Sequence, residues 1–111
     1  MEITHQNKDN YSIVKIDGRL DTTNYQELEK ALNGLLEENQ INLILDCADL
    51  DYVSSSGLRV FLMFLKKVKA LNGKFIICNM QDNIKEIFQI SGFTSIFEIH
   101  DDLATAEEAA K

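Results

Sequence analysis

Proline is absent from the 111-residue chain, and its five glycines stand apart at positions 18, 34, 57, 73 and 92. No Pro-, Gly- or Ser-rich tract offers an interdomain linker, so one domain spanning 1–111 is expected. Cysteine is scarce too. Cys47 and Cys78 are widely separated, each ending an apolar run, which excludes paired zinc-ligand spacing and a C-x-x-C redox motif and suggests two reduced core thiols. Basic charge is in short supply: 11 Lys and Arg against 18 Asp and Glu leave a net charge of −7, and no basic cluster exceeds Lys66-Lys67 with Lys69. Such a surface is poorly suited to phosphate backbones, so no direct nucleic-acid partner is expected. Long hydrophobic runs are missing as well. The longest, Val60 to Leu65, is closed by Lys66, far short of the ~20 residues that span a bilayer. No basic segment leads into an apolar one after Met1, so no export signal is expected, and a cytoplasmic protein without membrane insertion is expected.

What the chain does contain is an ordinary balance for a packed protein, 45% hydrophobic and 26% charged residues, which argues against disorder. Two periodicities alternate along it. Ile3 to Gln6 and Tyr11 to Ile16 read as short strands joined by the polar turn Asn7-Lys8-Asp9-Asn10, hence an antiparallel first pair. From Asp21 the pattern becomes helical, with Tyr25, Leu28, Leu32, Leu35 and Leu36 on one face and Asp21 or Thr22 as the cap. Ile41 to Cys47 holds Leu43-Ile44-Leu45 in a row, as in a strand covered on both faces. A helix from about Ser55 to Leu71, a strand from Lys74 to Cys78, a helix from Asp82 to Ile90, a strand from Ile96 to Ile99 and a closing helix from Asp101 to Ala110 complete the chain.

Strands alternating with helices imply right-handed crossovers. The expected fold is α/β: a single, mostly parallel sheet of about five strands, the first pair antiparallel, with about four helices packed on it. Its core should include Ile13, Ile16, Leu28, Leu32, Leu43, Leu45, Leu58, Leu62, Leu65, Ile76 and Phe88.

In such sheets recognition gathers beyond the carboxyl ends of the strands. The loop there that stands out is Ala48 to Gly57, where Ser54, Ser55, Ser56 and Gly57 open the most apolar helix of the chain. One reading is structural: one serine caps the helix and the other two are merely small. The other is a modification site. A phosphoserine adds about −1.5 to −2 charge and three acceptors, which a helix N-terminus accommodates. With Asp17, Asp21, Asp46, Asp49 and Asp51 toward the same end of the sheet, phosphate would change what docks there without refolding anything.

No catalytic constellation survives inspection. V-S-S-S-G-L is not the G-x-S-x-G nucleophile elbow, and the two histidines, His5 and His100, fall on strands rather than beside the serines. An acidic triplet of Asp17, Asp21 and Asp46 lacks the lysine a receiver domain places after its last strand, and no G-x-x-x-x-G-K-[ST] cradle is present. A non-enzymatic chain without metal or cofactor is expected. On the serine-led helix, Leu58, Phe61, Leu62, Leu65 and Val68 share one arc, while Val60, Met63, Phe64 and Leu71 share a second. Either neighbouring helices cover the second arc, or Val60-Met63-Phe64, beside Ser56 and Arg59, is a protein-docking face.

The segment Asp49-Leu50-Asp51-Tyr52-Val53-Ser54-Ser55-Ser56-Gly57-Leu58 resembles the STAS domain family, specifically the small bacterial anti-sigma factor antagonists. The resemblance extends through Gly18-Arg19-Leu20-Asp21, Leu43-Ile44-Leu45-Asp46, Asn72-Gly73-Lys74 and Ile84 to Gly92. It implies a STAS-like fold and a partner-switching phosphoprotein in transcription regulation. In that family the serine before the glycine, here Ser56, is phosphorylated by a partner that is both anti-sigma factor and serine kinase. The unphosphorylated antagonist binds that partner and frees a sigma factor; phosphorylation releases it, and a serine phosphatase restores it. Asp21, Thr22, Thr23 and Asn24 would line the same partner-binding surface as Ser54, Ser55, Ser56, Gly57, Arg59, Val60 and Met63, with the protein a monomer or weak dimer.

The chain departs from the family pattern where Ser54 replaces an aspartate, which leaves Ser55 as a secondary candidate. Arg59 stands one turn from Ser56, close enough along the helix to pair with a phosphate there. An alternative role is a STAS adaptor subunit of a lipid-transport or stressosome-like assembly; a third is a small phosphoryl carrier or nucleotide-hydrolysing protein using Cys47 or the serines.

Overall fold

Local pattern and chain connectivity build the sheet in the expected way. The computed structural model describes residues 1–111. Strand β1 (Glu2–Asn7) turns back on β2 (Ser12–Leu20), and the chain continues through α1 (Tyr25–Glu37), β3 (Asn42–Asp46), β4 (Leu50–Val53), α2 (Ser55–Ala70), β5 (Lys74–Cys78), α3 (Asp82–Ile90), a 3-10 turn at Phe93–Ser95, β6 (Glu98–His100) and α4 (Leu103–Ala110). The sheet order is β1-β2-β3-β5-β6, with β4 also paired to β2. Only β1–β2 is antiparallel. This is the α/β architecture expected from the sequence, enlarged by a sixth strand.

That strand, β4, falls in what reads as loop. Leu50-Asp51-Tyr52-Val53 buries its first and last residues and exposes the middle two, a pattern of neither period. It forms because β2 outlasts β3. Residues 12–15 of β2 pair with β3, and beyond Gly18 the same edge pairs with β4, with a register shift between Gly18 and Arg19. Gly18 takes φ +102°, open to glycine and strained for other residues, while its N–H donates to the Asp49 carbonyl at 2.8 Å.

The two faces of the sheet are unequal. Helices α1, α2 and α3 cover one of them, where Val14, Ile16, Leu43, Leu45 and Ile77 meet Leu28, Leu32, Phe61, Phe64, Ile84 and Phe88 in the main core. On the other, Ile13, Ile44, Ile76 and Cys78 lie under the small side chains of Ala106 and Ala110 of α4. Two polar ties hold α4 in place: Tyr11 Oη donates to Glu107, and Lys74 Nζ to the Ala109 carbonyl at 2.7 Å. The Glu107 carboxylate, with partial desolvation, pushes the Tyr11 phenol up to about 12. Both thiols are free and buried, Cys47 in the main core and Cys78 beneath α4. Burial raises the pKa of both, Cys78 to about 12, so neither supplies a thiolate at neutral pH.

Of the two readings of the second arc, coverage by a neighbouring helix is the one the structure supports at Val60 and Phe64, and the placement of Val60 on a docking face is corrected. Helix α2 turns Gly57, Val60, Phe61, Phe64, Leu65 and Val68 inward. Leu58 and Leu62, expected in the core, are only half-buried against it. Val60 is 2% exposed. The physical reason is α1, which packs on the flank where Lys67 Nζ reaches Asn33 at 3.1 Å. Met63 keeps part of its surface.

Candidate functional site

The site is the first turn of α2 and the loops around it. Ser54 is in extended conformation (φ −86°, ψ 173°), and its hydroxyl accepts from the Gly57 N–H at 3.2 Å. Its own N–H donates to the Leu20 carbonyl at 2.9 Å, which holds the start of the helix against the end of β2. Ser54 is thus the capping residue, doing what an aspartate would do in the same place. The Ser55 and Ser56 hydroxyls make no hydrogen bond within the chain. Ser55 is exposed and Ser56 partly so. Both lie beside the unpaired N–H groups of a helix N-terminus.

Gly57 was expected on the partner-binding surface, but it faces inward. A Cβ there would fall 2.8 Å from Leu20 Cγ and 2.9 Å from Val53 Cγ2. Its lack of a side chain lets α2 approach the ends of β2 and β4, so the residue places the serines instead of touching a partner.

The neighbouring loop is a compact turn, and Asn24, not Asp21 or Thr22, takes the N-cap position of α1. The Asp21 carbonyl accepts from both the Asn24 and Tyr25 N–H groups. Asp21 Oδ1 accepts from the Thr23 N–H and hydroxyl, at 2.9 and 2.6 Å, and these bonds hold its pKa below the usual carboxylate range. The side chain of Asn24 closes the turn, accepting from Asp21 N–H and donating to the Arg19 carbonyl. Thr22 and Thr23 are exposed, and Asp21 and Asn24 half-buried.

Two contributors are invisible without β4. Tyr52, 38% exposed, lies under the Arg19 guanidinium, whose carbon stands 4.1 Å from the ring centroid. The Asp51 carbonyl accepts from Asn83 Nδ2, and the Ala48 carbonyl from Gln81 Nε2, tying this end of the sheet to α3. The only signal in the sequence was an arginine and a tyrosine in separate loops. The acidic residues are mostly engaged already: Asp49 pairs with Lys15 at 3.0 Å, and the buried Asp46 accepts from Ala48 N–H and Asn79 Nδ2. Arg59 is exposed, with no carboxylate within 4 Å. No group of three or more His, Cys, Asp or Glu residues is placed to hold a metal, and no helix is long and apolar enough to cross a membrane.

The STAS domain family model matches residues 2–106. The chain belongs to this family. A Bordetella bronchiseptica protein provisionally named anti-sigma factor antagonist BtrV is 34% identical over 110 residues, covering 99% of this chain and 91% of its own length. Among solved structures, a Thermotoga maritima protein, likewise provisionally named an anti-sigma factor antagonist, superposes with a TM-score of 0.92 at 18% identity, over 97% of this chain and 93% of that one. The Bacillus cell fate determinant SpoIIAA in its phosphorylated form superposes with a TM-score of 0.79 at 17% identity, over 99% and 100% of the two chains. At these identities the two structures speak to the fold. This STAS domain therefore presents its serine-led helix on the family's framework, with Ser54 as cap and the next two hydroxyls unspent.

Proposed function

We propose that this STAS domain is an anti-sigma factor antagonist, a non-enzymatic binding module gated by phosphorylation of Ser56. In its unphosphorylated form it captures an anti-sigma factor that is also a serine kinase and so frees a sigma factor. The kinase then transfers phosphate to Ser56 and lets go, and a serine phosphatase resets the module in the cytoplasm. The observation that carries this reading is the division of labour among the serines. Ser54 caps α2, leaving the partly exposed Ser56 hydroxyl with no structural duty. A group that can be modified without loosening the fold suits a switch. The name of the Bordetella relative and the phosphorylated form of SpoIIAA support it further.

Phosphate at Ser56 adds about −1.5 to −2 charge at the positive end of the helix. Arg59, one turn on and without a carboxylate partner, is placed to pair with it. Docking changes through local charge and not through refolding. Asp21, Thr22, Thr23, Asn24, Ser55 and Met63 flank the serine as contact residues, and Ser55 is the secondary acceptor. The test is the intact mass and mapped phosphosite of the protein purified from its own cells, alongside capture of the kinase by Ser56→Asp. A single phosphate on Ser56 and lost capture by the variant are expected; equal capture by parent and variant would sink the proposal.

A further inference from the structure

β1 is an edge strand of a kind that proteins usually guard. It has six residues, lies at the end of the sheet order, and is exposed at every position except Ile3. It carries no proline or lysine, and Ile3 to Asn7 are free of Asp, Glu, Lys and Arg, so the common defences against edge pairing are missing. Its register identifies the unpaired groups. The Lys8 N–H donates to the Tyr11 carbonyl at 2.8 Å, and from there the β1–β2 ladder runs Gln6↔Ile13, Thr4↔Lys15 and Glu2↔Asp17. Hydrogen-bonded pairs recur every second residue in an antiparallel ladder. Glu2, Thr4 and Gln6 therefore turn their main-chain groups toward β2, and Ile3, His5 and Asn7 turn theirs outward.

Charge decides what fits this edge. Glu2 lies directly opposite Asp17; both are exposed, and neither has a cation within 4 Å. Like charges facing each other across strands are destabilising. At the other end of β1, Lys8 is exposed and also has no ionic partner. An antiparallel copy of β1 centred on His5 places Ile3 opposite Asn7, His5 opposite His5, and Glu2 opposite Lys8. This register uses every outward main-chain group of Ile3, His5 and Asn7 and brings a lysine to each Glu2–Asp17 pair. On the helical face the edge borders an open groove between β1 and α1, lined by Ile3, His5, Glu27, Lys30 and Gly34. A Cβ on Gly34 would meet nothing within 4 Å, so the groove has room for the second copy's side chains.

We propose that β1 is a self-association edge: two copies of this chain pair antiparallel through β1 about a two-fold axis at His5, joining their sheets into one. The inference is independent of phosphorylation at Ser56. Sedimentation velocity on the full chain, from micromolar to millimolar concentration, tests it. The expected result is a monomer–dimer equilibrium abolished by His5→Pro, which removes an outward N–H and leaves the β2 ladder intact. Glu2→Lys should raise the dissociation constant about tenfold by setting like charges together at both symmetric sites, and adding Lys8→Glu should restore it. The charge exchange keeps the test decisive if His5→Pro fails to fold. A chain that stays monomeric throughout, leaving its edge to some other strand, overturns the proposal. So does a dimer indifferent to the charge exchange.

Discussion

Helix α2 contains two regions with opposite duties. From Val60 to Val68 its inward residues fill the main core, and Phe61 and Phe64 are wholly buried. Its first turn carries Ser55 and Ser56, whose hydroxyls make no hydrogen bond within the chain. Burial makes the body of the helix intolerant of change, whereas the Ser55 and Ser56 hydroxyls bear no hydrogen bond that a substitution would break. The contrast teaches that the proposed switch would leave stability almost untouched, while the same helix, one turn later, is indispensable. Gly57 is the border between the two, the first residue that must face inward.

Substitutions along the helix can break or sharpen this contrast. Phe61→Ala, which opens a cavity beside Phe88 at 6.0 Å between ring centroids, should cost about 3–5 kcal/mol in urea unfolding. Gly57→Ala should cost about 1–3 kcal/mol, because its Cβ overlaps Leu20 and Val53. A neutral result would show that α2 can move away from β2 and β4 at little cost. Ser54→Ala should cost about 1 kcal/mol for the lost cap, and Ser54→Asp should hold stability near the parent's. Ser56→Asp should move stability by less than about 0.5 kcal/mol, since an acid in the first turn suits the helix dipole. A large destabilisation there would erase the distinction between the two regions.

The finest effect belongs to the neighbouring turn. Because Thr23 lowers the Asp21 pKa, the contribution of Asp21 to stability is complete above its unfolded value near ~3.9 and is lost as pH falls through the lower folded value. Thr23→Val, which keeps the backbone bond and removes the hydroxyl, should bring the Asp21 titration in an NMR series part of the way back up. An unchanged titration would mean that the hydroxyl plays no part.

Much of the sheet was legible because its signals are local. Leu43-Ile44-Leu45 announced a doubly covered strand, and all three residues are buried. Asn7 to Asn10 announced the hairpin between β1 and β2. Other features hid because their causes are distant in sequence. The sequence leaves the second arc of α2 open between burial and docking because nothing in its own residues says that α1 lies on that flank. Asp21 looked like a cap because aspartate before a helix often is one, yet its carboxylate is spent on Thr23. The stack of Arg19 on Tyr52 exists only once β4 has paired with β2.

By itself the sequence determined the alternation of strand and helix and put three serines ahead of an apolar helix, since hydrophobic periodicity and capping chemistry are written within a few neighbouring residues. Which side of α2 is sealed and which strand edge stays open were decided by tertiary structure alone. Each depends on where a remote segment comes to rest, and only packing and strand register set that distance.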